Sequence, residues 1–288
     1  MSKVKIIYLM GAGRSGTTAL ATFLNASENV TCLGELHQLP QYITENSACS
    51  CGQPLSECDF WSNYRETLKP FISTEYSREQ QVLESHRSVI KYLKSTFSAS
   101  KLNYHKANAD LLTEVKCNTG NAILDSAKYV GRALALFSND KFDVRVIYMT
   151  RDPRGVVESF AKKVQTSRSM FSACLYYNAI NFLAEFACRT ILRRRYLKVR
   201  YEDLLNEPIN TFNNIGQFAD IDVNDIISKI EHKETFAIGH IVGGNRMKTA
   251  GAIEFRKTDN WPSKISHVKR LAVYGLTLPF NLLNRYKP

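Results

Sequence analysis

The sequence predicts an α/β fold of three layers, a central parallel sheet flanked by helices with a helical insertion, on three observations. Apolar runs of strand length alternate with stretches of helical period. The strands end in polar or glycine-containing turns, which is where a parallel sheet keeps its ligand crevice. The run Val144 to Met149 is apolar except at Arg145, as a strand covered on both faces should be. The 288 residues suit one domain over 1–288, with a helical insertion over 62–112 and a C-terminal helix over 262–288.

The first strand is the apolar run from Val4 to Met10. It ends in Gly11-Ala12-Gly13-Arg14-Ser15-Gly16-Thr17-Thr18, and Leu20, Phe23 and Leu24 then recur at helical spacing. Strand, glycine loop and helix make a P-loop-like unit: glycines permit positive φ, bare N–H groups face an anion, and the helix N-terminus adds its dipole. The lysine that follows the last glycine in nucleotide triphosphatases is replaced by Thr17, and the cation of the loop is Arg14. The loop therefore suits an anion better than a triphosphate with magnesium.

A short strand from Val30 follows, able to pair beside the first, and runs into Glu35 and His37. Either side chain is a possible general base. Residues 48–61 hold Cys49, Cys51 and Cys58, with Cys32 or His37 as a possible fourth zinc ligand. Because Cys-x-Cys is tighter than the usual Cys-x2-Cys, the expectation is a packed, reduced loop and no metal. In the insertion, Val82, Val89, Ile90, Leu93 and Phe97 trace one apolar stripe.

A strand from Asn121 to Leu124 ends at Asp125-Ser126-Ala127-Lys128, and a helix through Ala133 and Leu136 follows. The strand Val144 to Met149 ends at Thr150-Arg151-Asp152-Pro153-Arg154-Gly155, a turn that opens the next helix. A long apolar-rich helix spans Arg168 to Leu192. A strand from Tyr196 to Arg200 then leads into Tyr201-Glu202-Asp203, and a glycine-rich loop runs from His240 to Lys248.

Basic residues exceed acidic ones by 38 to 27, a formal net charge of +11, which favours anionic partners. Their scatter argues against a nucleic-acid stripe. Seven cysteines are an odd number, so reduced thiols are expected. With no export signal before the first strand, and with Leu271 to Leu283 too short to span a bilayer, a cytoplasmic location is expected.

Together these loops resemble the sulfotransferase family, whose donor is 3′-phosphoadenosine 5′-phosphosulfate. Gly13-Arg14-Ser15-Gly16-Thr17-Thr18 is similar to its 5′-phosphosulfate loop, and Arg151 with Ser159, eight residues on, to its 3′-phosphate motif. Three stretches resemble the bacterial-type branch. These are Asp125 to Lys128, with Ala127 where that branch has a second serine, Val199 to Leu204, whose Tyr201 would lie near adenine, and Gly244-Asn245-Arg246-Met247-Lys248, with Lys248 in place of arginine.

The resemblance implies sulfuryl transfer to a hydroxyl or amine by in-line displacement, with no metal required. It implies donor binding by Gly13, Arg14, Ser15, Gly16, Thr17, Thr18, Arg151, Ser159, Tyr201, Asn245 and Lys248. Glu35 is the expected base, His37 its rival, and Lys128 is placed to touch the sulfuryl group. The acceptor is a small molecule, carbohydrate, lipid or peptide, not a nucleic acid. Two other readings are a P-loop kinase or nucleotide triphosphatase, with Asp125 or Asp152 as magnesium ligand, and a non-catalytic nucleotide- or RNA-binding module.

Overall fold

The computed structural model describes residues 3–85, 102–162, 167–244, 250–256 and 261–288. Five strands, β1 (Val4–Gly11), β2 (Val30–Gly34), β3 (Ala122–Lys128), β4 (Phe142–Thr150) and β5 (Tyr196–Arg200), form one sheet in the order β2-β3-β1-β4-β5. Every neighbouring pair is parallel. The sheet therefore has all its C-terminal ends on one edge, and the loops that follow β1, β2, β3 and β4 converge there.

Side chains alternate across β1. Ile6, Tyr8 and Met10 enter one apolar cluster, whereas Ile7 and Leu9 enter the other. The first cluster packs the insertion and the helices Val130–Phe137 and Met170–Ala187 on one face. The second packs Thr17–Leu24, Pro208–Ala219 and the antiparallel ribbon of β6 (Thr235–Ala237) and β7 (Ala252–Glu254) on the other. No helix among the described residues is long and apolar enough to cross a membrane.

The structure departs from the sequence reading at several elements. β2 does not lie beside β1, because β3 enters between them. β3 runs on to Lys128, four residues past the expected end, since the polar Asp125 that looked like its terminus is fully buried against Arg132. The long helix is Met170–Ala187, capped by the Ser169 hydroxyl, and Cys188–Leu192 continues it as a wider π turn.

The single helix expected over 262–288 is two, His267–Leu276 and Leu278–Leu283. Pro279 has no N–H to continue the first, and it sits in the first turn of the second. Within the insertion, the helices Thr74–Leu83 and Leu102–Thr119 are described; Val89, Ile90, Leu93 and Phe97 of the apolar stripe lie outside the described residues.

Candidate active site

β1 delivers the glycine loop to the C-terminal edge, and Thr17 begins the helix directly behind it. Gly16 holds φ at +93°, and a Cβ there would stand 2.5 Å from Cδ2 of Tyr201, so both backbone angle and space require glycine. Arg14 is also left-handed, at φ +70°. Ser15 is 1% exposed, and its Oγ has no hydrogen-bond partner among the described residues. A buried hydroxyl in that state beside a helix N-terminus is a donor available to an anion. The loop's outer lip is fixed by the Gly13 N–H, which donates to the Tyr176 hydroxyl at 3.0 Å.

From the end of β4, Arg151 turns back to this loop. Its Nη1 donates to the Arg14 carbonyl at 3.1 Å, and its guanidinium lies 4.3 Å over the ring of Tyr201, the first residue after β5. Ser159, on the helix Pro153–Ala161, borders the same cleft. Asp152 caps that helix by accepting from the Arg154 N–H at 2.9 Å and pairs with the Arg154 guanidinium at 2.7 Å. Arg154 also donates to the Lys287 carbonyl at 2.6 Å and sits over Trp261, so this arginine anchors the C-terminal segment.

The third arm comes from β2 and β3. The Glu35 N–H donates to the Val242 carbonyl at 2.7 Å, which fixes the turn after Gly34. The Glu35 carboxylate is largely buried: Oε1 accepts from Lys128 Nζ, and Oε2 accepts from Gln38 Nε2 at 2.9 Å. Lys128, at φ +74°, ends β3 where the register slips against β1. His37 packs edge-on to Tyr129 at 4.6 Å, and its Nδ1 has no partner among the described residues. Burial, then the charges of Arg132 and Lys128, lower its pKa to about 3, so the ring is neutral at pH 7 and a poor proton acceptor.

Asp125 takes no part in this cleft. Its Oδ2 accepts from the fully buried Arg132 at 2.7 Å, and the same guanidinium donates to Glu84, to the Tyr104 hydroxyl at 3.0 Å and to Asn108 at 3.1 Å. Asp125 and Asp152 are thus both committed to arginines. Neither is arranged as a magnesium ligand beside a triphosphate.

The result is a cleft of about 800 Å³ whose wall carries Arg14, Lys128, Arg151 and Arg168 around the carboxylate of Glu35. Such a site favours a polyanion. Gly13, Gly16, Thr17, Thr18, Ser159 and Tyr201 border it as well, so most of the residues singled out in the sequence meet in one place. Asn245 and Lys248 lie outside the described residues; Gly244, just before them, lines the cleft.

Sequence reasoning missed Gln38, Tyr129 and Tyr176. Gln38 had a legible signal in standing three residues after Glu35, one turn on. The two tyrosines had none, because they reach the cleft only through packing.

A family model described as "Sulfotransferase family" matches residues 7–225. The protein-tyrosine sulfotransferase of Drosophila melanogaster is 26% identical over 238 residues, 81% of this chain and 41% of that protein. Protein-tyrosine sulfotransferase 2 of Gallus gallus is 27% identical over 239 residues, 81% of this chain and 55% of that one. The chain spans about half the length of these curated relatives. In structure it is similar to the sulfotransferase domain of a Synechococcus olefin synthase, at TM-score 0.55 and 19% identity over 97% of this chain and 95% of that one. The sulfotransferase domain of the curacin biosynthetic pathway has the same TM-score at 16% identity, over 96% and 97% of the two chains. The fold is thereby shared, and the match over residues 7–225 establishes that the chain belongs to the sulfotransferase family.

Proposed function

We propose that the cleft transfers a sulfuryl group from 3′-phosphoadenosine 5′-phosphosulfate to a hydroxyl or amine by in-line displacement. The observation that carries this is the meeting of three arms at one sheet edge: the glycine loop, the Arg151 and Ser159 pair, and the Glu35–Lys128 ion pair. The donor's 5′ end would lie on Gly13 to Thr18, where the unpartnered Ser15 hydroxyl suits a phosphate oxygen. Its 3′-phosphate would take Arg151 and Ser159, and its adenine would lie near Tyr201.

Glu35 is the base in this reading. An ionised carboxylate has roughly four acceptor positions. Lys128 and Gln38 occupy one on each oxygen, leaving room for an acceptor hydroxyl. When the acceptor proton reaches Glu35, the carboxyl loses its charge and its hold on Lys128. The ammonium then stands free to stabilise charge developing on the sulfuryl or leaving phosphate oxygens. His37, with its lowered basicity, is the weaker claimant. The chemistry in this form needs no metal at the reacting centre.

The names of the relatives make a tyrosine-containing peptide the first acceptor to try, ahead of carbohydrate, lipid and small phenols. A reducing, cytoplasmic setting is part of the same proposal, supported by seven cysteines of which none is joined in a disulfide. Incubation with donor carrying radiolabelled sulfate and a panel of these acceptors tests the function. Label should move to an acceptor and be lost with Glu35→Gln. Magnesium-dependent ATP turnover without sulfate transfer would support the nucleotide triphosphatase instead.

A further inference from the structure

We propose that Cys49, Cys51, Cys58 and His240 form a structural zinc site, against the metal-free loop expected from the spacing of the cysteines. Neither fourth ligand considered from sequence reaches the cluster, since Cys32 is buried in β2 and His37 lines the cleft. The fourth donor comes instead from His240, 182 residues after Cys58. The sulfur and nitrogen atoms of the four residues all lie within 4.8 Å of one another. Cys51 Sγ and Cys58 Sγ are 3.7 Å apart, and Cys58 Sγ is 3.2 Å from His240 Nδ1. Tetrahedral zinc, with Zn–S of about 2.3 Å and Zn–N of about 2.0–2.1 Å, needs its donor atoms about 3.6–3.8 Å apart. The cluster therefore needs displacements of an ångström or less.

The local backbone aims these groups inward. The Gly52 N–H donates to the Cys49 carbonyl at 2.9 Å, which closes a turn over Ser50 and Cys51, and Gly52 leaves that turn at φ +90°. Cys58 follows on the turn whose N–H returns to Pro54, also at 2.9 Å. On the other side, the Ser50 hydroxyl donates to the Gly239 carbonyl at 2.6 Å and accepts from the Ile241 N–H at 2.8 Å, which brackets His240. The imidazole stacks on Phe60 with an interplanar angle of 14°, and Trp61 Nε1 donates to the His240 carbonyl at 3.0 Å. Orienting contacts of this kind around a histidine ligand are what a metal site requires.

Four protein donors close the tetrahedron, and none of them lines the cleft, so the metal is structural. Binding converts three thiols to thiolates with release of three protons, and with neutral imidazole leaves a net charge of −1 at the centre. Its mechanical consequence reaches Glu35. Two residues beyond His240, Val242 donates to Leu33 and accepts from Glu35, and a Cβ on Gly243 would lie 2.8 Å from that of Glu35. The metal would tie the cysteine loop to the segment that pins the base-bearing turn.

The test uses the full chain purified without a histidine tag and dialysed against metal-free buffer. Mass-spectrometric metal analysis should find close to one equivalent of zinc. Cys51→Ser, at the exposed ligand, and His240→Ala should each bring it well under half, while Cys117→Ser leaves it unchanged. Exchange with cobalt should give the thiolate charge-transfer band and the strong visible bands of a tetrahedral sulfur site. Wild-type protein with little zinc and no such cobalt spectrum overturns the proposal, as does a Cys51–Cys58 disulfide in the purified protein. A full equivalent retained by His240→Ala overturns the ligand set.

Discussion

Lys128, the last residue of β3, donates its ammonium to Oε1 of Glu35, the first residue after β2, and these two strands are hydrogen-bonded neighbours. The pair thus spans two adjacent strand ends and faces the cleft with the glycine loop. Removing the basic oxygen while keeping size and one hydrogen bond should separate chemistry from binding. Glu35→Gln is expected to lower turnover by about 10²–10⁴-fold, the range of a general base, with donor affinity nearly intact. Near-normal turnover in this variant, with an inactive His37→Gln, would move the role to the imidazole.

His37 makes a prediction about stability through its pKa of about 3. A histidine whose folded-state pKa lies below its unfolded value of about 6.5 binds more protons when unfolded, so stability is lost as pH falls through the interval between them. From pH 7 to pH 5 the loss attributable to this residue is about 2 kcal/mol. Urea unfolding of wild type and His37→Gln at both pH values measures it. An equal acid loss in the two proteins would mean that the ring is not held neutral.

Arg132 is the hub that joins β3 to the insertion, and it is completely buried with Asp125 and Glu84. Arg132→Met keeps much of the volume and strands two carboxylates. Breaking a buried pair in this way typically costs about 3–5 kcal/mol. Chemical denaturation should show a loss of this size, relieved in part by adding Asp125→Asn. A loss well under 1 kcal/mol would contradict the network.

Gly16→Ala tests the loop. A methyl group at φ +93° is strained by about 1–2 kcal/mol. It also displaces Tyr201 and with it the ring beneath Arg151. Affinity for adenosine 3′,5′-bisphosphate is expected to fall at least about tenfold, since 1.4 kcal/mol of lost contact already gives that factor. Calorimetric titration that finds unchanged affinity would separate the loop from the ligand.

What was legible in the sequence has a physical pattern. The unit from β1 through the glycine loop is continuous in the chain, so its periodicity and turn chemistry are local, and Arg151, just before the helix Pro153–Ala161, and Ser159, on it, are likewise near in sequence. The Glu35–Lys128 pair was half legible: each residue stood out, but their contact depends on β3 entering beside β2, and strand order leaves no mark on a single sequence. Arg132 was invisible because its helix reads as apolar and its partners arrive from three other segments. His240 was invisible as a partner of the cysteines for the same reason, being joined to them only by the fold.

The central claim is that the cleft binds a nucleotide through both its 5′ and 3′ phosphates, and the most direct measurement is the shift in melting temperature with adenosine 3′,5′-bisphosphate against AMP. A ligand that binds only the native state stabilises it by an amount that grows with the logarithm of its concentration over its dissociation constant. The bisphosphate should stabilise the wild-type protein far more than AMP does at equal concentration. Arg151→Ala should remove most of that difference, since a charged hydrogen bond of this kind is worth about 1.5–3 kcal/mol. Equal shifts for the two nucleotides, or a difference that survives Arg151→Ala, would contradict the account.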